Sequence, residues 1–176
     1  MTTGSRRNRP LMAGAGALAL VPSLLAAGPA RADDASVPRD LATAYAATAR
    51  YAYEPLAVKD GFARTDTCVA DPGMGGMGGA GGMGYHYVNR AGVGSTDPRR
   101  PAALIYATGK DGERHLVAVE WVVPATGQPA PRMFGRPFDG PFTNAVLGRI
   151  YDRHVWLYKD NPAGLFARYN PDVRCP

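Results

Sequence analysis

No CxxC, HxH or HExxH spacing occurs in this chain, nor a serine nucleophile elbow or a phosphate-binding loop. The compact signatures of zinc modules, metalloproteases, hydrolases and NTPases are excluded, so any site must be assembled from residues distant in sequence. There is no unbroken run of the ~20 apolar residues that a spanning helix needs. The best candidate, Leu11 to Ala27, is interrupted by Pro22 and Ser23. Cysteine is nearly absent, with only Cys68 and Cys175, and histidine is limited to His86, His115 and His154.

What is present begins with an export pattern. Ser5-Arg6-Arg7-Asn8-Arg9 is a basic head, Leu11 to Ala27 a short apolar middle, and Ala30-Arg31-Ala32 a small-residue stretch before Asp33-Asp34. This reads as a signal peptide over 1–32, cleaved to leave one domain over 33–176. The paired arginines point to the twin-arginine route, with an ordinary secretory signal as the alternative. No cysteine follows the cut, so neither a lipid anchor nor a membrane association is expected after cleavage.

Removing 1–32 also removes the positive excess, because sixteen basic residues then face fifteen acidic ones. A nucleic-acid partner needs a basic face, and none is expected here. Outside the cytoplasm thiols are oxidised, so Cys68 and Cys175 are read as a disulfide. It would close a loop of about 100 residues, worth roughly 4 to 5 kcal/mol in the chain-entropy account.

Along the chain, Ser36 and Pro38 look like a helix start. Leu41, Ala44, Tyr45, Thr48 and Ala52 recur at helical spacing as far as Glu54-Pro55. Phe62 to Val69 is a short strand candidate. The glycine run from Pro72 to Gly84 has no side chains to offset the entropy of ordering it, and reads as a loop. Its Met74, Met77 and Met83 invite copper(I), but the repeated Gly-Met-Gly reads better as an expanded loop, and copper is not expected.

Tyr85 to Val88 is a strand with Tyr85 and Tyr87 on one face and His86 and Val88 on the other. Ala102 to Ala107 and Arg114 to Val123 are two more, joined by a hairpin turn at Gly109 to Gly112. In the longer one, Leu116, Ala118, Glu120 and Val122 share a face opposite His115, Val117, Val119 and Trp121. Both faces are apolar, which makes the strand central and Glu120 the residue that breaks its register. Pro124 to Pro141 reads as a surface excursion pinned by Met133, Phe134 and Phe138. Phe142 to Ile150 is expected to hold a helical turn, and Arg153 to Tyr158 a closing strand. The fold class is α+β: an N-terminal amphipathic helix on a curved antiparallel sheet or partial β-barrel, with long Gly/Pro-rich loops.

Three blocks carry a resemblance: Met83 to Asn89, Leu116 to Trp121, and His154 to Gly164. Together with Ala46 to Tyr51, both cysteines and Phe134-Gly135, they resemble a group of small exported bacterial proteins of unknown function. The resemblance implies an exported, disulfide-closed domain and no particular activity. In that group the first block follows a shorter loop, so the Gly-Met run here would be an insertion. His115 lies outside the blocks.

One functional constellation emerges. His86, Glu120 and His154 sit on three separate strands, and two imidazoles with a carboxylate are the donor set for a divalent metal such as Fe(II) or Zn(II). Without a metal, a carboxylate orienting a histidine is a general base. A structural hydrogen-bond network is the competing reading. A second functional class is a non-catalytic binding module in which Tyr85, Tyr87, Trp121, Trp156 and Tyr158 line a pocket for a small-molecule ligand.

Overall fold

The computed structural model describes residues 1–2, 32–73, 79 and 81–176. Most of the proposed leader, together with Met74 and Met77 of the glycine run, lies outside the described residues; Met83 is inside them and buried. Helix α1 (Ala32–Thr48) runs into a 3₁₀ turn, Ala49–Ala52. The chain then turns extended at Tyr53 and re-enters a short helix, α2 (Glu54–Lys59).

One expectation is corrected here. Ser36 and Pro38 lie inside α1 and do not open it, because a turn already precedes them and the ladder tolerates the one N–H that Pro38 lacks. The helical run stops at Ala52, just before Glu54-Pro55, as expected, and Pro55 then stands in the first turn of α2, where its missing N–H removes no intrahelical bond.

Eight strands follow among the described residues: β1 (Cys68–Ala70), β2 (Gly82–Val88), β3 (Ala103–Thr108), β4 (Arg114–Pro124), β5 (Arg132–Met133), β6 (Arg136–Pro137), β7 (Asp139–Asn144) and β8 (Gly148–Val155). Six of them form one strongly curled antiparallel half-barrel in the order β1-β2-β3-β4-β8-β7, while β5 and β6 pair separately. The α+β class is therefore as expected, and β4 is central.

The alternation in β4 is not strict. Leu116 pairs with Tyr106 and Ala118 with Ile105, so a bulge absorbs Val117. Leu116 consequently joins Val119 and Trp121 in the large core, and Val117 packs with Ala118 instead. Of the Phe62 to Val69 candidate, only Cys68 and Val69 lie in a strand, with an isolated bridge from Ala63 to Val88. The turn predicted over Phe142 to Ile150 is a β hairpin: Asn144 Oδ1 accepts from the backbone N–H groups of Val146 and Leu147, and Gly148 takes φ +75°. Strand β8 accordingly starts earlier than Arg153, and it ends at Val155.

The two sheet faces differ in what covers them. Tyr85, Tyr87, Leu104, Tyr106, Val119, Trp121 and Val155 form one core with Ala44 of α1, Ala57 of α2 and Phe62. Met133, Phe134 and Phe138 are buried in the same cluster and fasten the β5–β6 excursion to it. The Cys68–Cys175 disulfide, with Cα atoms 5.6 Å apart, ties β1 to the end of the chain. The helices leave the opposite sheet face free to carry a cleft.

Candidate metal centre

Glu120 sits on β4 directly across from His154 on β8 and from Ala103 on β3, and Ala103 in turn faces Val88 on β2. His86 is one pleat along β2, on the same face as Val88, so its ring reaches diagonally across β3 toward Glu120. Ala103, buried and lacking bulk, leaves the space for that reach. Two residues before His86, Gly84 takes φ +104°, and a Cβ there would stand 2.3 Å from the Tyr106 carbonyl oxygen. Only glycine fits that contact, which sets how β2 delivers His86 to the sheet.

The three side chains expected to converge do so. The Nε2 atoms of His86 and His154 are 3.5 Å apart. One oxygen of Glu120 lies 3.7 Å from His86 Nε2, and the other lies 3.5 Å from His154 Nε2. Side-chain exposure is 18% for His86, 8% for Glu120 and 2% for His154. Among the described residues these three form the one His/Cys/Asp/Glu group with metal-ligand spacing.

Electrostatics at the group follow from burial. Desolvation lowers His86 to about 4, although the Gly84 carbonyl favours its charged form. Desolvation and the neighbouring His86 push His154 well below the usual imidazole range. Glu120 rises to about 8, first through desolvation and then through Asp152, with Arg168 opposing. At neutral pH the metal-free group is thus two neutral imidazoles and a protonated carboxyl, each disfavouring charge until a cation arrives.

The site opens into a cleft of about 980 Å³ on the sheet face away from the helices. Asp152, two residues before His154 on the same face of β8, and Arg168 also line it. Arg168 donates to Asp152 Oδ2 at 3.2 Å, and desolvation raises Asp152 to about 6. Sequence reasoning missed both residues; the available signal was the period-2 spacing that places Asp152 beside His154.

The aromatic set does not line this cleft. Tyr85, Tyr87 and Trp121 are buried in the large core, and Trp156 packs in the smaller core with its indole N–H donating to the Ala167 carbonyl. The hydroxyls of Tyr158 and Thr48 are 2.7 Å apart. Alternation placed Tyr85, Tyr87 and Trp121 opposite His86 and Glu120, and that opposite side is the packed one. His115 pairs with Asp111 in an exposed turn, apart from the centre.

The chain matches no protein-family model, no curated protein and no solved structure.

Proposed function

We propose that this is an exported protein whose His86, Glu120 and His154 hold one divalent transition metal, Fe(II) or Zn(II). The observation that carries the reading is a set of distances. Hydrogen bonds to imidazole nitrogen run at about 2.7–3.2 Å, and the three approaches here are 3.5, 3.5 and 3.7 Å. Two donors bound to one ion at about 2.0–2.2 Å stand about 3.0–3.5 Å apart. Only the His86–His154 approach meets hydrogen-bond geometry, at its long limit, while neither Glu120 approach does, and the group needs only a few tenths of an ångström of closure to ligate.

Two imidazoles and a carboxylate leave further coordination positions free, and here those face the cleft. A bound ion would supply a Lewis acid and lower the pKa of a ligated water. The chain's own residues fix the donors on three strands, exclude bulk water by burial and aim the centre at the cleft. The alternative of a carboxylate orienting a catalytic histidine is less well supported, because neither Glu120 contact has hydrogen-bond length. Export is supported by the basic, apolar and small-residue order of the first 32 residues and by the disulfide. No helix of the described residues is long and apolar enough to cross a membrane.

Anaerobic purification followed by metal analysis tests the proposal. One equivalent of metal in the wild type, lost in both His86→Ala and His154→Ala, supports it. A folded wild type that retains no added Fe(II) or Zn(II) sinks it.

A further inference from the structure

We infer that the cleft takes an organic carboxylate with an apolar body, its carboxylate seated between the ion and the guanidinium of Arg168. The inference rests on the metal-centre reading and extends it to a substrate class. Four ionisable side chains of fixed sign line the cleft, Arg90, Glu120, Asp152 and Arg168, and once Glu120 is ionised as a ligand their charges cancel. A divalent ion adds positive charge that nothing in the lining offsets. In surroundings of low polarity an anionic ligand is the natural complement to that excess.

Arg168 supplies the second contact. Its guanidinium lies over the ring of Phe142, 3.8 Å from the centroid, and one N–H group donates to the nearly buried Asp152. Asp152 and Phe142 hold it from two sides, and its remaining donors have no partner among the described residues. Its side chain is 32% exposed, against 3% for Asp152. It is close enough to act electrostatically on His86, Glu120 and His154. A guanidinium fork is suited to a carboxylate, which can bridge it to a neighbouring cation.

The body of the ligand is read from the walls. Val69, Val88, Val122, Leu147 and Ile150 make them largely aliphatic. A volume of about 980 Å³ lies within the usual span of small-molecule sites. Apolar walls with one cationic end fit a compact aromatic or branched aliphatic acid, and they disfavour a sugar or a polyanion.

Co(II)-loaded full-length protein provides the test, with 2-naphthoate and its neutral isostere 2-naphthamide as probes. Expected are a change in the visible cobalt bands with one equivalent of 2-naphthoate, no change with 2-naphthamide, and at least ~10-fold weaker 2-naphthoate binding after chelation. Arg168→Gln should weaken 2-naphthoate binding by ~10-fold or more at unchanged cobalt content, with partial recovery in Arg168→Lys. Val88→Trp, which obstructs the cleft, should abolish binding. A chain that holds one cobalt but ignores 2-naphthoate overturns the inference and leaves the metal centre standing; a chain that holds none overturns both. Equal binding of the two probes, or undiminished binding in Val88→Trp, also overturns it. Should Arg168→Gln fail to fold, the probe pair and Val88→Trp decide.

Discussion

Raising the pH of the metal-free protein from 6.5 to 8 should lower its stability by about 1 kcal/mol, and Glu120→Gln should abolish that fall. Glu120 is raised from an ordinary 4.5 to about 8 in the fold. Between those values the unfolded chain has released a proton that the folded chain keeps, so stability drops as pH rises, by about 1.36 kcal/mol per unit at full effect. Asp152, raised from 3.8 to about 6, acts in the same direction over a lower range. The histidines act oppositely: His86 is lowered from 6.5 to about 4 and His154 lies well below 6.5, so stability gained from keeping them neutral grows with pH until about a unit above 6.5. The opposing effects overlap up to about pH 7.5, where the unfolded histidines have lost nearly all their protons; across the window the loss at Glu120 exceeds the gain at the two histidines. Urea unfolding with chelator present, at four pH values across the window, reads the effect directly. One equivalent of zinc should flatten the profile, because ligation keeps Glu120 ionised in the folded state. An equal fall in Glu120→Gln, or a wild-type profile that rises across the window, would refute the reasoning.

Other substitutions test the scaffold around the centre. Ala103→Leu should fill the space that His86 crosses and lower zinc affinity at least ~10-fold in a titration, while overpacking destabilises the fold by about 1–3 kcal/mol. Gly84→Ala should lose about 2 kcal/mol or more on urea unfolding, since its Cβ would collide with the Tyr106 carbonyl at a positive φ. Replacing Cys68 and Cys175 together by serine should cost about 2–5 kcal/mol by the same assay, given the 107-residue separation that the bridge spans.

Much of the sheet was legible because its central strands have two buried faces and regular alternation. Residues 85–88 and 103–107, the hairpin at Gly109 to Gly112 and most of β4 follow from period and turn chemistry. The same regularity exposed the site: His86, Glu120 and His154 are polar residues in otherwise apolar registers. What failed did so for physical reasons. Strand β7 is an edge strand with largely exposed residues, so it carries no hydrophobic period, and residues 142–150 read from sequence as a helical turn. The bulge at Val117 reverses the faces beyond it, which no period-2 reading detects. Starting β8 at Arg153 concealed that Asp152 shares a face with His154. Arg168 lies in an aperiodic stretch, and only tertiary structure brings it to the cleft. Tyr85, Tyr87 and Trp121 lie on the sides of their strands that alternation gives them, whereas Trp156 and Tyr158 lie beyond the end of β8, and sequence alone does not tell which side the core covers.

The decisive measurement is anomalous X-ray scattering at the absorption edge of the metal on crystals grown with one equivalent of Zn(II). A single anomalous peak about 2.0–2.2 Å from His86 Nε2, His154 Nε2 and a Glu120 oxygen is the predicted result. A peak confined to other residues, or none at this cluster in crystals of zinc-saturated protein, would contradict the account and leave His86, Glu120 and His154 as a purely structural group.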